Sequence, residues 1–140
     1  MLTVYPLVDA QPFPTTYWLS CPFLVKAIDR LESGGAIRAL ERRLLDDAEL
    51  RERVDAAHRS AVEERRRLLT DDDASRLVRD GRISGLMTRG IGGIADCAHL
   101  KCLHLHAAHA LAGANPIGEI VLARLDATVC PPQQVICSAG

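Results

Sequence analysis

This sequence predicts a mainly α, compact single-domain fold of five or six helices, with a small N-terminal β-hairpin. Three observations carry that prediction. After residue 22 apolar residues recur at helical spacing, as in Phe23, Leu24, Ala27, Ile28 and Leu31. Before it lie the two β-branched and aromatic runs, Thr3-Val4-Tyr5 and Thr15-Thr16-Tyr17-Trp18-Leu19, separated by the turn residues Asp9-Ala10-Gln11-Pro12. Capping residues and helix-ending glycines then divide the remainder into helix-length pieces.

Taken in order, residues 1–20 form the hairpin and residues 22–80 a run of helices. Ser20-Cys21-Pro22 starts the first helix, with Ser20 or Cys21 near the N-cap and Pro22 at the first helical position, and Gly34-Gly35 ends it. Ile37–Leu45 and Leu50–Leu69 make a second tract, which Asp46-Asp47 interrupts as a new N-cap. The block Glu63-Glu64-Arg65-Arg66-Arg67 reads as a solvated helix face, and no heptad persists long enough for a coiled coil. Asp71-Asp72-Asp73 caps a short helix, Ala74–Arg79, closed by Gly81. The three carboxylates lack the spaced oxygens of a calcium loop. Residues 82–95 are a glycine-rich loop and residues 96–113 a Cys/His helix, stopped by Gly113-Ala114-Asn115-Pro116. The last helix, Ile117–Leu125, and an irregular tail complete a single domain over 1–140.

With 140 residues and a net charge of −1, the chain can bury a core and is not a generally basic nucleic-acid binder. Met1–Ala10 lacks a secretory pattern, and no apolar run of about 18 residues could span a bilayer. The expected location is cytoplasmic, where the five cysteines serve as thiols, ligands or buried apolar groups.

The chemistry concentrates between Arg89 and Gly113, where C-x-H-x-x-C-x-H-x-H-x-x-H runs from Cys97 to His109. At about 100° per residue, His99, Cys102, His106 and His109 share an arc of roughly 80°, with Cys97 and His104 nearly opposite. Cys102 and His106, at i and i+4, can reach one metal ion. Residues 99 and 109 are about 15 Å apart along a helix, so further ligands must come from elsewhere. The expected site is Cys21, Cys102 and His106, completed or supported by His104 or His109 and by a tail cysteine, Cys130 or Cys137. Thiolate and imidazole together favour zinc, with iron or an iron–sulfur cluster as the alternative. An open metal position would make the protein a metal-dependent enzyme acting on an anionic small molecule.

Ahead of that helix, Arg89, Gly90, Gly92 and Gly93 form a candidate anion loop, in which glycine amides approach the anion and Arg89 adds a bidentate contact. The bland reading is a tight turn between helices, since neither the Walker ending nor a preceding strand is present. His58 and His99 are secondary candidates. The alternative to metal binding is a non-catalytic interaction module, with the charged tract 41–67 facing a protein partner and the Cys/His cluster packed as core.

Several stretches carry a resemblance: Phe13-Pro14-Thr15-Thr16-Tyr17-Trp18-Leu19-Ser20-Cys21-Pro22, Arg89-Gly90-Ile91-Gly92-Gly93, Lys101-Cys102-Leu103-His104-Leu105-His106 and Asn115-Pro116-Ile117-Gly118. In that order they resemble a bacterial family catalogued as domain of unknown function 501. Ala57-His58-Arg59 is similar to that family's histidine-containing helix. The resemblance implies a small cytoplasmic protein and carries no assigned activity.

Overall fold

The computed structural model describes residues 1–134. Its N-terminal segment is a hairpin of two nested ladders. The outer strands β1 (Leu2–Thr3) and β4 (Tyr17–Trp18) pair antiparallel, Leu2 against Trp18, and the inner strands β2 (Leu7–Val8) and β3 (Gln11–Pro12) pair Leu7 against Pro12. The tip residues Asp9 and Ala10 both take positive φ, 49° and 60°. That is the sense of turn that matches strand twist in a two-residue hairpin.

Seven α-helices follow among the described residues, against the five or six that the sequence predicts. Helix α1 (Pro22–Ser33) starts with Cys21 at the N-cap and Pro22 in its first turn. Helix α2 (Ala36–Asp46) hands over to α3 (Ala48–Leu68) at Asp47, whose side chain accepts from the Leu50 amide. Thr70 caps α4 (Asp71–Arg79) through Asp73 N. The glycine-rich stretch contains the extra helix, α5 (Ser84–Met87), and a 3-10 turn over Ile91–Gly93. Helices α6 (Leu103–Ala110) and α7 (Pro116–Ala123) form a short antiparallel pair, with Asn115 capping α7 through Gly118 N.

One predicted element is much shorter than expected. The helix assigned to 96–113 begins only at Leu103, because the amides before it bond elsewhere. Asp96 Oδ1 takes Ala98 N at 2.9 Å and Glu41 Oε1 takes Leu100 N at 2.9 Å, while Cys102 is extended at φ −164° and ψ 129°. The 100°-per-residue projection therefore does not apply to His99 and Cys102.

The main core gathers Ile28, Leu40, Leu44, Val54, Leu103, Ala107, Ile117 and Val121 from α1, α2, α3, α6 and α7. A smaller core of Ala57, Ala61 and Ile91, flanked by Leu105, lies under the loop before α6. No helix among the described residues is long and apolar enough to cross a membrane. Cys137 lies outside the described residues.

Candidate metal centre

Helix α6 starts against the flank of α1, and two α1 carboxylates fix that junction. Glu32 Oε1 accepts from Leu103 N at 2.6 Å, satisfying an amide that the helix start leaves without a partner. His104 Nε2 lies 3.2 Å from the Val25 carbonyl and 3.2 Å from Asp29 Oδ1. A carbonyl only accepts, so Nε2 carries a proton, and in the neutral tautomer with that proton Nδ1 offers its lone pair. That lone pair faces Cys102 Sγ at 3.2 Å and Glu32 Oε1 at 3.4 Å. Glu32, Cys102 and His104 thus present a carboxylate oxygen, a sulfur and a nitrogen, all within 4.8 Å of one another. Burial pushes the Cys102 thiol up. The amides of Leu105 and His104 oppose this shift, and the Glu32 carboxylate reinforces it.

A second polar centre is fully enclosed. Asn115 Oδ1 accepts from Gly118 N at 2.9 Å, so its amide nitrogen is the group facing the rings, 3.3 Å from His106 Nδ1 and 3.5 Å from His109 Nδ1. His58 accepts from Ile91 N at its own Nδ1, 2.9 Å away, and its ring meets His106 edge-on with centroids 5.8 Å apart. Each of these three histidines accepts at Nδ1 and holds its proton on Nε2, which leaves no lone pair for a metal. His109 Nε2 lies 3.3 Å from Glu64 Oε2. Burial pushes His106 down to about 3, with His58 adding to the shift, and burial likewise lowers His58 and His109.

The Arg89–Gly93 loop wraps this enclosed centre. Arg65 is fully buried and donates Nε to Ala61 O at 3.3 Å, Nη1 to Leu86 O at 2.6 Å, and Nη2 to the carbonyls of Arg89 and Gly90. Burial brings the Arg65 guanidinium down to about 10. A Cβ on Gly90 would stand 2.4 Å from His58 Nδ1, so only glycine fits there. The loop amides are largely occupied: Gly90 N bonds Ile94 O, Ile91 N bonds His58, and Gly93 N bonds Gly90 O. Its carbonyls hold a cation, while the Arg89 side chain is exposed.

The predicted site residues therefore separate. Cys102 and His104 come together; His106 and His109 join His58 around Asn115. His99 is exposed, 3.5 Å from Glu41 Oε1 and 3.6 Å from Asp96 Oδ2. Cys21 is the N-cap of α1, one turn before the Val25 carbonyl, and Cys130 follows α7; neither belongs to the mutually close ligand group. The sequence reading missed Asp29, Glu32, Glu64, Arg65 and Asn115 as site residues. Asp29 and Glu32, at i and i+3 on α1, were the available signal for a carboxylate flank. Arg65 sat in a charge block with no mark of its burial.

The class that fold and site define is a small helical protein with one enclosed histidine centre and one half-buried Cys/His/Glu group at a helix junction. The chain belongs to the family described as a protein of unknown function, DUF501, whose model matches residues 1–123. No curated protein and no solved structure matches it.

Proposed function

We propose that this is a metal-binding protein whose centre is Glu32, Cys102 and His104, with zinc as the preferred ion. The observation that carries this reading is the direction of the His104 ring. A carboxylate and a carbonyl hold its Nε2–H, turning Nδ1 toward a thiol and a second carboxylate, as outer partners orient histidine ligands in metal sites. Bonds of about 2.3 Å to sulfur and 2.0–2.1 Å to nitrogen or oxygen give tetrahedral edges of about 3.3–3.6 Å. The Sγ–Nδ1 and Oε1–Nδ1 separations of 3.2 and 3.4 Å are close to those edges.

One sulfur, one nitrogen and one oxygen suit zinc or iron(II) better than an iron–sulfur cluster, which needs several thiolates. Three protein ligands leave a fourth position for water or substrate, the arrangement of catalytic zinc sites. Cys21 could fill that position only if its thiol reaches along α1, which would make the metal structural. The competing reading, a non-catalytic interaction module, is favoured by the same 3.2 Å contact taken as an S–H···Nδ1 hydrogen bond.

Elemental analysis of thiol-reduced protein purified without chelator tests the proposal. Close to one equivalent of zinc or iron is expected, falling sharply in Cys102→Ser and in Glu32→Gln. A folded protein with no metal, and none taken up from added zinc, rejects it.

A further inference from the structure

Beside the Glu32/Cys102/His104 group, a groove of about 570 Å³ runs between the hairpin and α1. That volume is in the range of small-molecule sites. Its composition is one-sided. Phe13, Trp18, Leu19, Val25 and Leu105 give its apolar lining; Cys102, His104 and Asp29 lie together as a polar end, and Lys101 lines the groove as well. Trp18 is 46 % exposed and stacks on Phe13 with ring centroids 6.3 Å apart and planes 8° from parallel. The two rings form a flat apolar wall that water covers when nothing else does, at a cost in free energy.

The polar end selects the head of the ligand. Asp29 Oδ1 lies 3.2 Å from His104 Nε2, at the opposite ring nitrogen from the one that faces Cys102, so that N–H holds the carboxylate away from the Cys102 side. Lys101 gives one proton to Gly92 O at 3.1 Å and keeps two others. A metal ion on Glu32, Cys102 and His104 would add positive charge at this same end.

Resting on the metal reading above, we infer that the groove binds a small carboxylic acid with an aryl or branched-alkyl body. The carboxylate takes the fourth metal position beside Lys101, and the body lies against Trp18 and Phe13. The ligand is amphipathic because the site is: neither a bare anion nor a neutral apolar molecule satisfies both ends.

Cobalt(II) in the full-length protein separates the two readings, since its visible bands report the metal shell directly. The probes are 3-phenylpropionate, acetate and 3-phenylpropanol. Cobalt bands are expected on loading, and 3-phenylpropionate should shift them about ten- to hundredfold more tightly than acetate, the range one buried aromatic contact supplies. The alcohol should be similarly weak. Trp18→Ala, at an exposed position, should keep the cobalt bands and lose that preference for the aryl acid. Absence of cobalt bands would overturn both the metal reading and this inference. Cobalt bands that acetate and 3-phenylpropionate shift equally, or an unchanged preference in Trp18→Ala, would overturn this inference alone.

Discussion

His104 and His106 are two residues apart on one short helix, yet they sit in different chemical worlds. His104 faces α1, its side chain 17 % exposed, with one nitrogen held by Val25 and Asp29 and the other turned toward a thiol. His106 faces α3 and α7, is 2 % exposed, and accepts from an asparagine whose other end caps a helix. The difference lies in what each ring has left over. The enclosed histidines use Nδ1 to satisfy neighbours, so they specify the packing. His104 turns Nδ1 toward Cys102 and Glu32, the half-buried group proposed above to hold a metal.

The largest test of that contrast is Arg65. Replacing it by leucine removes the side-chain donor from four carbonyls, of which Gly90 O keeps Gly93 N and Ala61 O stays in the α3 ladder, and stability should fall by about 3–5 kcal/mol in urea titration. A loss under about 1 kcal/mol would mean that the loop and α3 are not locked together through it.

Next come the two histidines themselves. His106→Ala should cost the metal-free protein about 2–4 kcal/mol through cavity and lost hydrogen bonding, while any variant that still folds keeps its metal. His104→Ala should do the reverse, losing the metal while moving the metal-free melt by only about 1 kcal/mol. Melts with and without chelator, beside metal content, read both. Equal metal loss in the two variants would erase the contrast.

Acid sharpens it further. Above pH 6.5 His106 is neutral both folded and unfolded, so its pKa shift costs nothing. Below 6.5 the unfolded chain takes up a proton that the folded protein refuses until about pH 3. Each unit in that window removes up to about 1.4 kcal/mol, so His106 alone should lower stability by about 2 kcal/mol at pH 5. His58 and His109, both lowered by burial, push the same way. Urea midpoints at pH 7 and pH 5 check this, and a flat response would show that the enclosed rings titrate freely. The smallest expected effect is at Arg66, whose ion pair with Glu63 lies on the exposed face of α3. Arg66→Ala should leave the melting temperature essentially unchanged.

Much of this architecture was readable from local chemistry. Gly34-Gly35, Asp47 and Asn115-Pro116 mark boundaries because each satisfies or breaks backbone bonding within a few residues, whereas the cap expected at Asp71-Asp72-Asp73 is Thr70, and the three aspartates form the first turn of α4. The hairpin was readable for the same reason. What sequence could not carry were bonds across the chain: Glu41 to Leu100 N, Glu32 to Leu103 N, and the four carbonyls around Arg65. Those distant contacts decide that α6 starts late, that Cys102 is extended beside His104, and that an arginine inside a charge block is core. The Cys/His concentration located the right segment; which nitrogen stays available depends on Val25, Asp29 and Asn115.

The close crossing of α6 and α7 bears on the order in which the protein assembles. A Cβ on Gly118 would fall 2.1 Å from the His106 carbonyl, so the two backbones touch, and only residues 111–115 separate the helices. A contact closed over so short a loop costs little chain entropy and forms quickly. Helix α1 must instead be recruited across some seventy residues to bring Glu32 to Leu103. We expect the Asn115–His106 side to be structured in the folding transition state and the Glu32–Cys102–His104 side to close after it. High φ-values at Ile117 and Val121, with low ones at Leu24 and Ile28, would bear that order out; the opposite pattern would reverse it. A nascent chain on that schedule acquires its scaffold first and its ligand group last.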